Sequence, residues 1–289
     1  MQPEHYSVLL AESLDYLAIR PDGIYVDVTA GLGGHTKAIA ERLESGLVIA
    51  CDRDAESLDR ARQNTAAFAN RIRYFHGAFP ELPRALEENN VALVDGVLAD
   101  LGVSRYQLST GERGFSLMED GALDMRMNRA EELTAAHLVN ELSEKDLADL
   151  IYQYGDERRS RRISRAIVRA RPILTTGRLA QVVESAVPRT GRIHPATQTF
   201  MALRLRVNSE LEQLDELLQI VPAKLKPGGR FVVLTFMSTE DRKVKRAFQE
   251  EAKAGRAAIL TKHVVKPSEK EISENAASRS SKLRALQRL

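Results

Sequence analysis

Apolar positions in the first hundred residues follow two alternating patterns. Ile24-Tyr25-Val26-Asp27-Val28, Leu47-Val48-Ile49-Ala50-Cys51, Ile72-Arg73-Tyr74-Phe75 and residues 94–99 are short β-rich runs that predict strands. Between them, apolar residues recur every three or four positions and predict helices over 36–43, 55–68 and 79–88. Strands alternating with helices imply a parallel sheet with crossover helices. From about residue 105 to about residue 195 the strand pattern stops, and helices are predicted over 135–142, 144–154, 158–170 and 176–186. The α/β pattern then resumes with one long helix over 196–225, the stop Pro227-Gly228-Gly229, a strand over 230–236 and a helix over 240–254. Residues 258–265 and 281–286 are expected to close the chain as an antiparallel pair. The expected organisation is an α/β domain from residues 1–105 and 196–289, interrupted by an inserted helical domain over 106–195.

Composition removes several function classes. Of the 289 residues, 43% are hydrophobic, which is enough for a sizeable core. A lone cysteine, Cys51, excludes an internal disulfide, a dithiol redox centre and a zinc site built from thiolates, and no metal is expected. No run approaches the ~20 apolar residues of a membrane helix. The first residues carry acids where a secretory signal carries a basic flank, so a cytoplasmic protein without a membrane partner is expected. The formal charge is only +2, so affinity for a polyanion has to come from local clustering.

The run Asp27-Val28-Thr29-Ala30-Gly31-Leu32-Gly33-Gly34-His35 lies between the first strand and its helix. Glycines there allow a sharp turn and close approach of a ligand to the backbone, with amides at the helix start facing it. The dinucleotide fingerprint G-x-G-x-x-G is incomplete because Thr36 takes its last position, and a phosphate loop's Gly-Lys-Ser/Thr is missing. An acid at a strand end followed by G-x-G resembles the first motif of S-adenosylmethionine-dependent methyltransferases. The second strand ends at Asp52, where an acceptor-only carboxylate can take both hydroxyls of a ribose. Phe79, just past the third strand, is placed to flank an adenine. A helix-capping role for the acid and an ordinary α/β turn for the glycines are the alternatives.

The fourth strand ends at Asp100, in Ala99-Asp100-Leu101-Gly102-Val103-Ser104, and ligands of open parallel sheets bind outside the carboxyl ends of strands. Methyl transfer is an in-line displacement that chiefly needs alignment of the acceptor and relief of the charge it develops. Asp100 is therefore the candidate catalytic residue, orienting a target amine through its N–H groups; a loop-stabilising role is the alternative. A thiolate route would need a nucleophilic cysteine, and Cys51 sits inside a strand, where core packing is expected. Seven arginines crowd residues 158–171, with Arg158, Arg162, Arg165 and Arg169 on one helical face and Ile163, Ala166, Ile167 and Ala170 on another. The arginine face suits nucleic-acid phosphates; pairing with the acids of residues 141–149 is the other reading. Arg204, Arg206 and the group Arg242, Lys243, Lys245 and Arg246 are further candidates.

Many ordered motifs run the length of the chain. They include His5-Tyr6-Ser7-Val8-Leu9-Leu10, the loop over residues 31–36, Asp100-Leu101-Gly102-Val103-Ser104, Arg113-Gly114-Phe115-Ser116, Leu123-Asp124-Met125-Arg126-Met127, Tyr154-Gly155-Asp156-Glu157-Arg158, His194-Pro195-Ala196-Thr197, Val207-Asn208-Ser209-Glu210-Leu211 and Glu240-Asp241-Arg242. On these the chain resembles the bacterial ribosomal RNA small-subunit methyltransferase H family, which methylates N4 of a cytosine in the decoding region of 16S ribosomal RNA. The resemblance implies a Rossmann-like class I methyltransferase sheet with a helical insert and S-adenosyl-L-methionine as cofactor. It places cofactor-binding residues at Gly33, Gly34, His35, Asp52, Phe79, Asp100 and Gln107, and implies 16S rRNA, in the small ribosomal subunit, as partner. Met237 stands where the family usually has His, Met201 where Gln is usual, and Arg105-Tyr106 where Ser-Pro is usual. His5, His35 and His194 are expected near the site, and residues 113–127 are expected to form a lid over it. A methyltransferase for another acceptor, an RNA-binding assembly factor without turnover, and pairing as a homodimer all stay open.

Overall fold

The computed structural model describes residues 7–187, 189 and 194–289; His5 and Tyr6 of the opening motif lie outside the described residues. Contacts divide the chain into two compact units, Met1–Gly102 with Glu212–Leu289, and Val103–Leu211. Among the described residues no helix is long and apolar enough to cross a membrane.

The first unit is built on a seven-stranded sheet. Its strands are β1 (Ile24–Asp27), β2 (Leu47–Asp52), β3 (Ile72–His76), β4 (Val94–Asp100), β5 (Leu225–Thr235), β6 (Ala257–Ile259) and β7 (Lys282–Arg288). They lie in the order β3-β2-β1-β4-β5-β7-β6, parallel through β5, with β7 antiparallel to both of its neighbours. This is a Rossmann-like parallel sheet of the kind the resemblance implies, extended at one edge by an antiparallel pair. The β-rich runs form its centre because both faces are covered: Val26, Ile49, Val97 and Phe231 belong to one apolar layer, and Tyr25, Val48, Leu98 and Val232 to the other. The order reverses beside β1, so the tips of β1, β2 and β4 border the switch point where such sheets take ligands.

The expected terminal pair forms over a shorter span, β6 ending at Ile259 with only an isolated bridge at Val265. β5 starts earlier than expected: Leu225 pairs with Val94, and the ladder resumes at Arg230 and Gly96 past a register shift around Pro227, which has no N–H to donate.

The second unit is helical and has one apolar core, including Leu123, Met125, Leu138, Ile151, Ile163, Ile167, Leu179, Phe200 and Leu203. Three of its helices, Ala135–Glu141, Glu144–Gly155 and Thr176–Ala186, follow the expected periodicity within a residue of each predicted end. The long helix expected over 196–225 is instead two, Thr197–Val207 and Glu210–Lys224. The chain breaks at Asn208 and Ser209, the latter at φ +48°. The buried Asn208 side chain donates to the carbonyls of Met125 and Arg204 and accepts from the Met127 amide, and these contacts hold the break open. The first of these two helices lies in the helical unit, so the units divide after Leu211 where the reading above divided them at residue 196.

Candidate functional site

Three carboxylates at strand tips organise the sheet unit's glycine loop. Asp27, at the end of β1, is fully buried; Oδ1 accepts the Thr29 amide at 3.1 Å, and Oδ2 accepts the Thr36 hydroxyl at 2.6 Å. It ties the start of the loop to the helix that follows, Gly34–Glu41. Thr29 Oγ1 in turn accepts the Asp100 amide at 2.6 Å, joining the β1 and β4 tips. Gly31 and Gly33 take φ +51° and +88°, and a Cβ on Gly33 would lie 2.9 Å from Thr65 Cγ2. Only glycine fits there. Gly33 is also the helix N-cap and has no side-chain acceptor, so Gly34 and His35 begin a helix that its cap residue leaves open to a ligand.

Asp52 at the β2 tip is the loop's clamp. Its Oδ2 accepts the Gly31 amide at 2.7 Å and its Oδ1 the Asp54 amide at 2.8 Å. Each oxygen keeps a second lone pair, so the residue expected to hold a ribose also holds the turn beneath it. Burial pushes its pKa up to about 6 against the pull of these two amides, with Asp54 and Asp27 adding to the rise. Next to it, Cys51 is buried and its thiol is pushed far up by burial, which leaves it inert as a nucleophile. Phe79 opens a short turn beyond β3 and packs, half-buried, on the sheet's apolar layer.

Asp100 ends β4. Its Oδ2 lies 3.6 Å from Nδ1 of His35, whose Nε2 is 3.2 Å from the Val8 carbonyl. The Val8 carbonyl can only accept, so Nε2 is the donor in that contact and Nδ1 is the nitrogen that faces Asp100. Asp100 Oδ1 is buried with no hydrogen-bond partner among the described residues. Burial pushes the pKa of this carboxyl up to about 8, with Asp27 and Glu240 contributing repulsion. Glu240 received no role of its own in the sequence reading. It is buried, and its Oε2 accepts the amides of Phe236 and Met237 just beyond β5. Asp27 was likewise read only as part of the loop, although an acid two residues before a threonine is a recognisable turn-former.

These residues suit an adenosyl sulfonium. A clamped carboxylate at β2 offers acceptors for a diol, glycine backbone at the β1 loop permits close approach, and Asp100 carries a buried oxygen that no described residue bonds. The tips together present acids and no lysine or arginine of the assigned site, which favours a cation.

Most of the remaining expected residues lie in the helical unit. Gln107 is buried; its Oε1 accepts the Ser104 amide and its own amide donates to Ser104 Oγ, closing a capping box. The arginine helix runs from Ser160 to Arg169 and buries Ile163 and Ile167. Arg162, Arg165 and Arg169 are exposed on it, and Arg158 is exposed in the turn before it. Arg165 meets Glu144 at 3.3 Å, so the acidic stretch does reach this face, as the alternative reading required at that one position. Arg204 does not present a free cation: Glu210 binds its guanidinium through both oxygens, at 2.8 and 3.1 Å. In the sheet unit Lys243 is engaged by Asp215 at 2.6 Å.

Residues 113–127 are tied into the helical unit at both ends. Arg113 is buried and donates to the carbonyls of Arg126 and Met127, and Leu123 and Met125 belong to the helical core. His194 caps the turn at Ala196 and lies in the helical unit.

The chain is similar over nearly its whole length to a known family and its members. The MraW methylase family model matches residues 2–289. A protein named ribosomal RNA small subunit methyltransferase H from Solibacter usitatus is 58% identical over 98% of this chain and 99% of its own. Proteins of the same name from Koribacter versatilis and Nostoc punctiforme are 49% and 45% identical, each over 99% of this chain and 95% and 94% of their own. A match over nearly every residue, with a class I sheet whose strand tips carry the expected acids, makes this chain a member of the MraW methylase family.

Proposed function

We propose that this chain transfers a methyl group from S-adenosyl-L-methionine to N4 of a cytosine in the decoding region of 16S ribosomal RNA, in the cytoplasm and on the small ribosomal subunit. The observation that carries the reading is the set of carboxylates around the glycine loop, with Asp52 clamping it at the tip of β2 and Asp100 standing at the tip of β4 with a buried oxygen that no described residue bonds. The full-length relatives bear the name of that activity.

In this reading, Asp52 takes the ribose hydroxyls with its remaining lone pairs, and Phe79 flanks the adenine. The backbone of Gly33, Gly34 and His35 borders the amino-acid end, and Gln107 completes the set of cofactor residues that the resemblance implies. The bound donor supplies an electrophilic methyl on a positively charged sulfur. The lone pair of a cytosine amine is delocalised into its ring, so the enzyme has to hold the N–H groups and favour a tetrahedral nitrogen. Asp100 is the acceptor placed for that task. The exposed arginines Arg158, Arg162, Arg165 and Arg169 hold RNA phosphates, and Ile163 and Ile167 anchor their helix from the opposite face.

Mass analysis of 16S rRNA nucleosides from cells with and without this chain tests the proposal. Loss of N4-methylcytidine, restored by the intact chain, is expected; an unchanged nucleoside profile rejects it.

A further inference from the structure

The carboxyl of Asp100 sits among groups that disfavour a negative charge. Asp27 from β1 and Glu240 from the helix Ser238–Lys253 repel it, and burial removes water. Among the described residues its Oδ1 has no hydrogen-bond partner, and its Oδ2 faces His35 Nδ1 at 3.6 Å. In the neutral imidazole that donates from Nε2, Nδ1 carries a lone pair, to which a protonated Oδ2 can donate. The local structure therefore favours a proton on Asp100 unless a positive charge is supplied from outside.

The proposed reaction supplies and then removes such a charge. The amine's lone pair forms the new N–C bond, and the S–C bond breaks with its electrons remaining on sulfur, leaving a neutral thioether. The nitrogen becomes positive and must lose one proton. A carboxylate that takes this proton becomes a neutral acid, so the site holds no net charge before the transfer (cation plus carboxylate) and none after it.

We propose that Asp100 is the proton acceptor of the reaction, and that the charge of the bound ligand sets its proton occupancy: ionised beside a sulfonium, protonated beside the thioether. The inference rests on the donor assignment above and extends it, since the group that positions the amine also receives its proton, and becomes more basic as the positive charge is consumed. His35 is a positioning residue that steadies the protonated form.

Calorimetry of the full chain in buffers of different ionisation enthalpy reads this directly, without turnover. At pH 7 a carboxyl that titrates at about 8 is protonated in about nine of ten molecules. Binding of S-adenosylmethionine is expected to release about 0.9 proton beyond whatever the neutral S-adenosylhomocysteine releases. Sinefungin, which carries an ammonium in place of the methylsulfonium, is expected to behave like the donor. From pH 6 to pH 7 the affinity for both cations is expected to rise about tenfold, and the affinity for the thioether to stay level. In Asp100→Asn the difference in proton release disappears. Equal proton release for all three ligands, or a difference that survives in Asp100→Asn, overturns the inference and leaves the donor assignment standing. Failure of the wild-type chain to bind any of the three overturns the donor assignment and this inference with it. The three-ligand comparison on the wild-type chain decides the matter without the variant.

Discussion

The two units fix their irregular backbone with opposite chemistry. In the sheet unit acids accept amide protons: Asp27 holds Thr29, Asp52 holds Gly31 and Asp54, Asp95 holds Ile24, and Glu240 holds Phe236 and Met237. In the helical unit much of the same work falls to amides and guanidiniums that donate to carbonyls. Asn140 reaches Ala136 and Ile173, Arg171 reaches Val139 and Leu142, Arg113 reaches Arg126 and Met127, and Asn208 reaches Met125 and Arg204. The consequence extends beyond stability. Acids gathered at strand tips make a site that prefers a cation, while a unit tied internally by donors, with arginines along one exposed face, suits an anion. Each unit's structural bonds thus have the polarity that its proposed ligand needs.

The sharpest way to break this comparison is to remove a donor tie. Asn208→Ala strands the Met127 amide and the Met125 carbonyl in a buried place, while the Arg204 carbonyl keeps the backbone amide of residue 208. With about 1–3 kcal/mol for each unsatisfied buried group and some relaxation, a loss of about 3 kcal/mol is expected. Hydrogen exchange should place that loss at residues 123–127 and 197–207 and leave β1, β2 and β4 protected. Equal loss of protection in both units would show that they do not stabilise separately.

Charge reversal on the arginine face comes next. Replacing Arg162 and Arg165 by Glu is expected to weaken binding of a 16S rRNA fragment by roughly a hundredfold at moderate salt and to lower the salt slope by about 1.4, at about 0.7 per phosphate contact to a single strand. Donor affinity, which depends on the acids of the other unit, should not change. A salt slope equal to wild type would move the RNA contact away from this face.

These two variants also mark where the sequence could and could not be read. Arg162 and Arg165 were legible because local periodicity sets them opposite Ile163 and Ile167. Asn208 was not. Leu205, Val207, Leu211 and Leu214 continue a helical spacing straight through it, and its partners Met125 and Met127 lie 83 and 81 positions away. The same limit hid the role of residues 113–127, which are ordered by side chains bonding to backbone and so leave no apolar period. It also left Arg204 looking available, because its pairing with Glu210 depends on the chain turning at Ser209. In the sheet unit Asp52 and Asp100 were legible as acids at strand ends next to a glycine loop, because strand ends are set locally. What Asp27 and Glu240 do was not, since their partners are backbone amides that any residue could provide.

A smaller effect tests the acid side. The folded-state pKa of Asp100 is raised, to about 8, above its ordinary value. A carboxyl raised in this way costs no stability at low pH, where both states hold the proton. The unfolded chain ionises first as pH rises, so the penalty grows up to the folded pKa and then levels off. Asp100→Asn removes that penalty in the ligand-free chain. Its melting midpoint relative to wild type is therefore expected to climb by about 2–4 °C between pH 7 and pH 8, where the penalty grows by about 1 kcal/mol, and to level off above that. A difference that is constant across this range would mean that Asp100 is already ionised in the free protein.

The smallest expected effect concerns Met237, at the position where the resembled family usually has a histidine. The structure uses this residue through its backbone: its amide and that of Phe236 bond to Glu240, and any side chain preserves those bonds. With proton acceptance placed on Asp100, a second titrating group beyond β5 has no proton to handle. Met237→His is therefore expected to change kcat for methyl transfer by less than about twofold, because a general base worth 10²–10⁴ is not being restored. The shape of the rate against pH from 6 to 9 should also match the parent. A rate rise of tenfold or more, with a new limb near the ordinary histidine pKa of about 6.5, would move the proton away from β4 and toward the start of the helix Ser238–Lys253. The acids of the sheet unit would then be a cradle for the cation alone.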